Sequence, residues 1–536
     1  MNRLTHASAA LLVALAVTGC GAEAAEQPAP ASLTWAIETQ PITLNPQQWA
    51  QNKVRLLVFN QFDALLSRAA DGSFGPWLAT SWQVSDDGLT YTLRLRDDVT
   101  FHDGSKFDAA AVKANLDQFR VPGYNPAVAA IQLRAYEGAK VLSPTTLEIT
   151  LKEPDALFLD FLASPYAGQI SPKSLKSAKD LKFGGPDLAG TGPFILDRYV
   201  QGQEIHYRRN PAYNWPPAGA AHQGPAHLPE ITYRFLPEAA VRVGALTSGQ
   251  VQVIEGVPAT EVALIKQDPA LTLRTALNSG TSFSYYFNTS RAPFDDQRVR
   301  EAFREAVNVD TVLQSVYQGT ATRAWSIVGK AGPFYDPGLE RAFGGDVAKA
   351  NALLDEAGWK QRDAEGFRVK DGRRLTVRTV ASAPFVRDRR DILAQAIQAQ
   401  VKQNAGIDFQ VKIVDQGTAQ KALDENEYEI FENSRGDSDA GAALNLILPR
   451  GGAINRTHFA DDRVDKWLAE AGADADQARR KELYARVQRA VVLEKAIVFP
   501  IYVPADQIAA QKSVQGLGFH PASGTPAGAY DVRIGT

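Results

Sequence analysis

Residues 77–119 read WLATSWQVSDDGLTYTLRLRDDVTFHDGSKFDAAAVKANLDQF. Asp86-Asp87-Gly88 is a turn signal between two strand-like runs, so residues 80–99 are predicted to form a β-hairpin. After the turn, Tyr91, Leu93 and Leu95 alternate with Thr92, Arg94 and Arg96, the period of a strand with one buried face. Asp108 then opens a helix, with Val112, Leu116 and Phe119 at i, i+4 and i+7 on one side. His102, in Phe101-His102-Asp103-Gly104, reads as a hydrogen-bonded turn residue.

The same signals continue on both sides of this stretch. Leu33–Ile37 is predicted as a first strand, and a second hairpin turns at Ser143-Pro144-Thr145, with Leu147, Ile149 and Leu151 alternating. Residues 184–192 are Gly-rich and expected to cross between lobes; they contain no phosphate-binding glycine loop. Helices are predicted over 298–306, 346–357 (ending at Gly358), 387–404 (ending at Gly406) and 478–494, with a strand over 409–413. Strands and helices mix throughout, which argues for an α/β or α+β protein.

A chain of 536 residues exceeds one ordinary core, so two to four domains or lobes are expected. Hydrophobic residues at 45% and charged residues at 22% exclude disorder over the whole length. Net charge is −3, from 57 basic and 60 acidic residues, and leaves no basic excess for nucleic acid. Catalytic motifs are missing: no GxSxG elbow, SxxK, HExxH or Walker loop. His222 and His227, five apart in a Gly/Pro loop, read as solvated rather than as metal ligands. Neither a metal nor a cofactor is expected.

Cys20 is the one cysteine, so no internal disulfide exists. Arg3 precedes an apolar stretch of 11 residues, 7–17, too short to span a bilayer. Val17-Thr18-Gly19-Cys20 follows and resembles the bacterial lipobox. That resemblance implies a signal peptide over 1–19 and a lipid on the Cys20 sulfur. Residues 20–31 then form a small, polar, Pro-containing stalk.

Residues 77–119 resemble the pattern "WLA-SW-VSDDG-TYTF-LR--VKFHDG-PF-A-DV--" of the family 5 extracellular solute-binding proteins of ABC importers. Thr43-Leu44-Asn45-Pro46, Phe62-Asp63-Ala64-Leu65-Leu66, Gly190-Thr191-Gly192-Pro193-Phe194 and Phe287-Asn288-Thr289 match in order. So do residues 293–300 and 352–359, and the likeness runs from about residue 33 to the end. It implies an α/β, two-lobed periplasmic-binding-protein-like fold of type II with an additional small α+β domain. Lobe I would be discontinuous (32–61, 188–285 and 503–536), the extra domain 62–187 and lobe II 286–502, with crossings near Tyr285 and Val503.

The resemblance implies a monomeric receptor that closes on an oligopeptide and passes it to the transmembrane subunits of an ABC permease. Alternatives within the family are a metal chelate, an opine or a sugar; an extracellular hydrolase is the reading from another class. Peptide binders of the family hold the ligand's ammonium with an Asp, here Asp437 or Asp439. Arg435 stands near the place of a family Trp. Three fates are open to it: an ion pair with one of those acids, a grip on a ligand carboxylate or phosphate, or solvent. Tyr285, Tyr286 and Asn288 are candidates to touch the ligand from the crossing strand. The nickel-binding branch uses an Arg and His residues, which are absent from residues 125–131 here.

Overall fold

The computed structural model describes residues 32–48, 55–124 and 129–535. The signal peptide, the stalk and Cys20 lie outside these residues, as do residues 125–128 of the stretch compared with nickel binders.

Two sheets organise two lobes. The first has seven strands in the order Leu271–Leu277, Ala505–Gln511, Val253–Glu255, Leu33–Ile37, Glu230–Phe235, Glu204–Arg209 and Phe194–Val200. Leu33–Ile37 sits in the middle and pairs in parallel with both neighbours. Its Leu33, Trp35, Ala36 and Ile37 are fully buried, as a central strand covered on both faces requires.

The second sheet has six strands in the order Thr322–Arg323, Val498–Val503, Phe283–Phe287, Ile430–Asn433, Thr376–Ser382 and Asp408–Val414. All five residues of Phe283–Phe287 are buried. Phe303 of helix Gln297–Glu305 packs edge-on against Phe287 and Phe409, which fixes that helix to the sheet.

The two predicted hairpins form one four-stranded antiparallel sheet in the order Ala79–Val84, Thr90–Leu95, Thr146–Leu151, Tyr136–Ser143. Asp108 caps helix Ala109–Gln118 by accepting the Ala111 backbone N–H at 2.9 Å. This part shares a continuous apolar core with the first sheet. His102 ties the two together: its backbone N–H donates to Gly190 O at 2.8 Å and its Nε2 to Gly192 O at 2.9 Å. The Gly-rich segment 184–192 therefore does not pass between the lobes. It returns the chain from the hairpins to strand Phe194–Val200 of the first sheet. A Cβ at Gly190 would collide with the Gln61 backbone carbonyl, so the close approach requires glycine.

The chain passes between the lobes at residues 278–282 and again at Pro504. The first passage falls earlier than the expected Tyr285. Tyr285 lies within strand Phe283–Phe287, which pairs with Ile430–Asn433 and Val498–Val503 and so belongs wholly to the second sheet. The second passage joins strands Val498–Val503 and Ala505–Gln511, one in each sheet.

Asp63 anchors loop 210–215 to the first lobe. Its carboxyl accepts from Tyr213 Oη and Trp215 Nε1, both at 3.1 Å, and is fully buried. Burial pushes its pKa from 3.8 up to about 7, against the pull of the hydrogen bonds from Tyr213 and Trp215. The folded state then holds a proton that the unfolded chain has released between about pH 4 and 7, so this group's contribution falls as pH rises through that window and is flat above it. Three pKa units correspond to roughly 4 kcal/mol. Urea unfolding of the wild type and Asp63→Asn from pH 4 to 8 measures it. The wild type should lose stability relative to the variant as pH rises; a pH-independent difference would mean an ordinary carboxylate.

Candidate functional site

Strand Ile430–Asn433 ends against the first lobe and releases loop 434–439 before helix Ala440–Ile447. The loop carries Arg435, Asp437 and Asp439, and the structure gives the two acids different jobs. Asp439 is the helix N-cap, accepting the Gly441 N–H at 2.8 Å through Oδ1. Its Oδ2 meets Arg480 at 3.0 Å and Arg68 at 3.4 Å. Arg68, from strand Leu66–Arg68 of the first lobe, also pairs with Asp160. All four side chains are almost fully buried. Burial alone would raise the Asp439 pKa, but Arg480 and then Arg68 outweigh it and hold the carboxyl below its ordinary value.

Asp437 pairs with Arg435 in a forked arrangement, Nε to Oδ2 at 2.7 Å and Nη2 to Oδ1 at 3.2 Å. Of the three fates open to Arg435, the structure selects the internal ion pair. The loop is also stapled to the first passage between the lobes. Thr281 N donates to Arg435 O (2.8 Å), Arg435 N donates to Thr281 Oγ1 (2.9 Å), and Ser279 Oγ donates to Asp437 O (3.3 Å). A Cβ at Gly280 would strike the Arg435 carbonyl, so only glycine fits there.

Tyr285, Tyr286 and Asn288, expected to meet the ligand from a crossing strand, lie instead inside the second lobe. Tyr285 packs on Phe409 and Tyr286 on Phe431. Asn288 spends its amide on Asn426 Oδ1 (2.6 Å) and Tyr428 O (2.9 Å), and accepts from Ser290. They are placed there because strand Phe283–Phe287 is interior to its sheet.

The first lobe faces the loop with residues that carry no motif in the sequence. Arg55 donates to Ser523 Oγ at 2.9 Å and His520 Nδ1 at 3.3 Å, and His520 stacks on Phe59. Burial, then the Arg55 charge, hold His520 well below its usual range, so it can accept. Burial and then the Asp437 carboxylate raise the phenol of buried Tyr166. These side chains and the Arg435–Asp437 pair form the inner wall of the interlobe site.

Next to Arg435 a cleft of about 360 Å³ opens between the lobes, within the ~300–1,000 Å³ of small-ligand sites. Gln132, Arg134 and Leu157 line it from the first lobe, and Arg435, Asn445 and Arg450 from the second. A smaller cavity of about 230 Å³ lies beside Val503, where Arg242 spends its Nε, Nη1 and Nη2 on the carbonyls of Leu236, Pro237, Glu255 and Gly256. His222 stacks on His227 and uses both ring nitrogens, on Asp531 Oδ1 and Pro225 O. Among the described residues no cluster of His, Cys, Asp and Glu is arranged to hold a metal.

Two-lobed architecture with a ligand-sized interlobe cleft defines a solute-binding receptor. Residues 73–452 match the family described as bacterial extracellular solute-binding proteins, family 5 Middle. The chain belongs to this family, the binding components of ABC importers. It is 30% identical over 467 residues to the glutathione-binding protein GsiB of Escherichia coli O1:K1 / APEC, covering 83% of this chain and 84% of that one. In fold it is similar to NikA from Brucella suis in complex with Fe(III)-EDTA, with TM-score 0.82, 24% identity, and 93% and 99% of the two chains covered. It is likewise similar to DppA from Helicobacter pylori in complex with the peptide STSA, with TM-score 0.77, 21% identity, and 95% and 98% covered.

Breaking one partner of a buried ion pair leaves an uncompensated charge and costs roughly 3–5 kcal/mol. Asp439→Asn, which keeps the cap but removes the charge shared by Arg68 and Arg480, should lose that much in urea unfolding. Intact stability with lost ligand binding would instead make Asp439 a ligand anchor.

Proposed function

We propose that the protein captures a small peptide or peptide-like solute between its lobes and hands it to an ABC permease, performing no chemistry on it. The observation that carries this reading is the cleft itself, walled by both lobes, with Arg435 of loop 434–439 on its wall and that loop hydrogen-bonded to the interlobe passage. Such a site buries a polar solute only if backbone and side-chain groups replace its water, and Gln132, Asn445 and the arginines supply donors and acceptors for that. The 30% identity with glutathione-binding relatives supports a peptide-like ligand; the fold is shared alike with peptide-, chelate- and opine-bound neighbours.

Calorimetry with reduced glutathione, tri-alanine, Ni(II)–histidine and agropinic acid tests the ligand class. The peptides should bind; at 100 times Kd a bound peptide should stabilise the fold by about 2.7 kcal/mol. Binding of the chelate or the opine alone would replace the peptide reading.

We further propose that the protein works as a monomer, tethered by a lipid on Cys20 to the extracytoplasmic face of the membrane. Among the described residues no helix is long and apolar enough to cross a membrane. Metabolic labelling with a radioactive fatty acid should mark the wild type and not Cys20→Ala, and the variant should move to the soluble fraction. An unlabelled wild type would end the anchor reading.

A further inference from the structure

The cleft between the lobes holds three guanidinium groups, and two of them are already spent. Arg435 forks onto Asp437 at 2.7 and 3.2 Å. Arg450 donates to Asp462 at 2.7 Å and its backbone N–H to Asp465 at 3.0 Å. Arg134 differs. Its acidic neighbours are Glu153 at 3.6 Å and Asp155 at 3.9 Å, both on its own lobe and both beyond hydrogen-bond distance. Among the described residues it makes no hydrogen bond, so its N–H fork remains available while 45% of its side chain is exposed. A guanidinium in that condition suits a carboxylate, which its parallel N–H groups grip in two places.

Gln132, two residues away on the same wall, is nine-tenths buried, and its Oε1 is a buried acceptor with no partner among the described residues. Leaving such an acceptor unfilled costs on the order of 1–3 kcal/mol. Oε1 is closed to water as the side chain now lies, so a ligand N–H in the cleft would satisfy it only after the amide turns outward. The donor Arg134 and the acceptor Gln132 thus present the complement of an amide N–H followed by a carboxylate, the pattern at the C-terminus of a peptide. Arg435, on the opposite wall, forks onto Asp437, which does not itself line the cleft, so that carboxylate offers no lone negative charge to an ammonium there.

We propose that Arg134 and Gln132 form a carboxylate-terminus subsite, so that the protein selects peptide-like ligands by their free C-terminal acid rather than by their ammonium group. The proposal rests on the peptide reading above and adds which end of the ligand is recognised.

Matched probes decide it: tri-alanine, its C-terminal amide and its N-acetyl derivative, titrated calorimetrically into the full-length protein without its lipid. Amidation should weaken binding about tenfold or more, since one charge-assisted contact is worth about that factor, while N-acetylation should change it less than about threefold. In Arg134→Gln the acid-to-amide ratio should collapse towards one. Arg134→Lys keeps a positive charge beside buried Asp155 but lacks the fork, and the ratio should fall at least about threefold. A variant that only lost support for Asp155 would melt lower yet keep the wild-type ratio, which would overturn the subsite. Sensitivity to N-acetylation with indifference to amidation would overturn it too, leaving the peptide reading intact. If none of the three probes binds, the peptide reading falls and this inference with it.

Discussion

The carboxylate of Asp439 sets the charge balance where the lobes meet. It is buried, caps helix Ala440–Ile447, and is shared by Arg480 of its own lobe and Arg68 of the other. A lone charge at that depth would be intolerable; two guanidiniums and a backbone N–H make it affordable. Asp160 completes the account by pairing with Arg68, so two positive and two negative groups cancel across the interface. Loop 434–439 gets its position from this arrangement, and with it Arg435 its place on the wall of the cleft.

The loop is also tied to the segment on which the lobes turn. Residues 278–282 leave the first sheet and enter the second, and on the way Ser279 and Thr281 bond the backbone of Asp437 and Arg435. Gly280 sits so close to the Arg435 carbonyl that no side chain fits between them. The passage between the lobes and the loop that carries Arg435 are therefore joined backbone to backbone.

Much of this was legible in the sequence, because local chemistry dictated it. The Asp86-Asp87-Gly88 turn, the period-two runs and the Asp108 cap need no tertiary context, and hairpins and helix formed where those signals stood. The resemblance places the first passage near Tyr285, whereas it lies a few residues earlier because Phe283–Phe287 pairs on both sides within the second sheet. Asn278-Ser279-Gly280-Thr281-Ser282, small and polar, carries the turn composition that such a passage needs. Arg68, Arg134 and Arg480 were invisible for a different reason. An isolated arginine has no signature of its surroundings: Arg68 and Arg480 meet an acid far away in sequence, and Arg134 reaches the cleft only through the fold.

The distribution of charge also explains how such an interface can open. Drawing the lobes apart breaks the Arg68–Asp439 contact, the longest in the group at 3.4 Å. It leaves Arg68 with Asp160 on one side and Arg480 with Asp439 on the other, because each pair lies within a single lobe. Neither face then carries an uncompensated buried charge. Had Asp439 depended on Arg68 alone, opening would strand a carboxylate and a guanidinium and cost several kcal/mol. Arg435 and Asp437 follow the same rule, since both partners sit on one loop and travel together. With the interior ions neutral in pairs in either state, the balance between open and closed is left to the apolar area covered and to whatever the ligand contributes across the cleft. A receptor that must release its cargo as readily as it captures it requires that balance to be close.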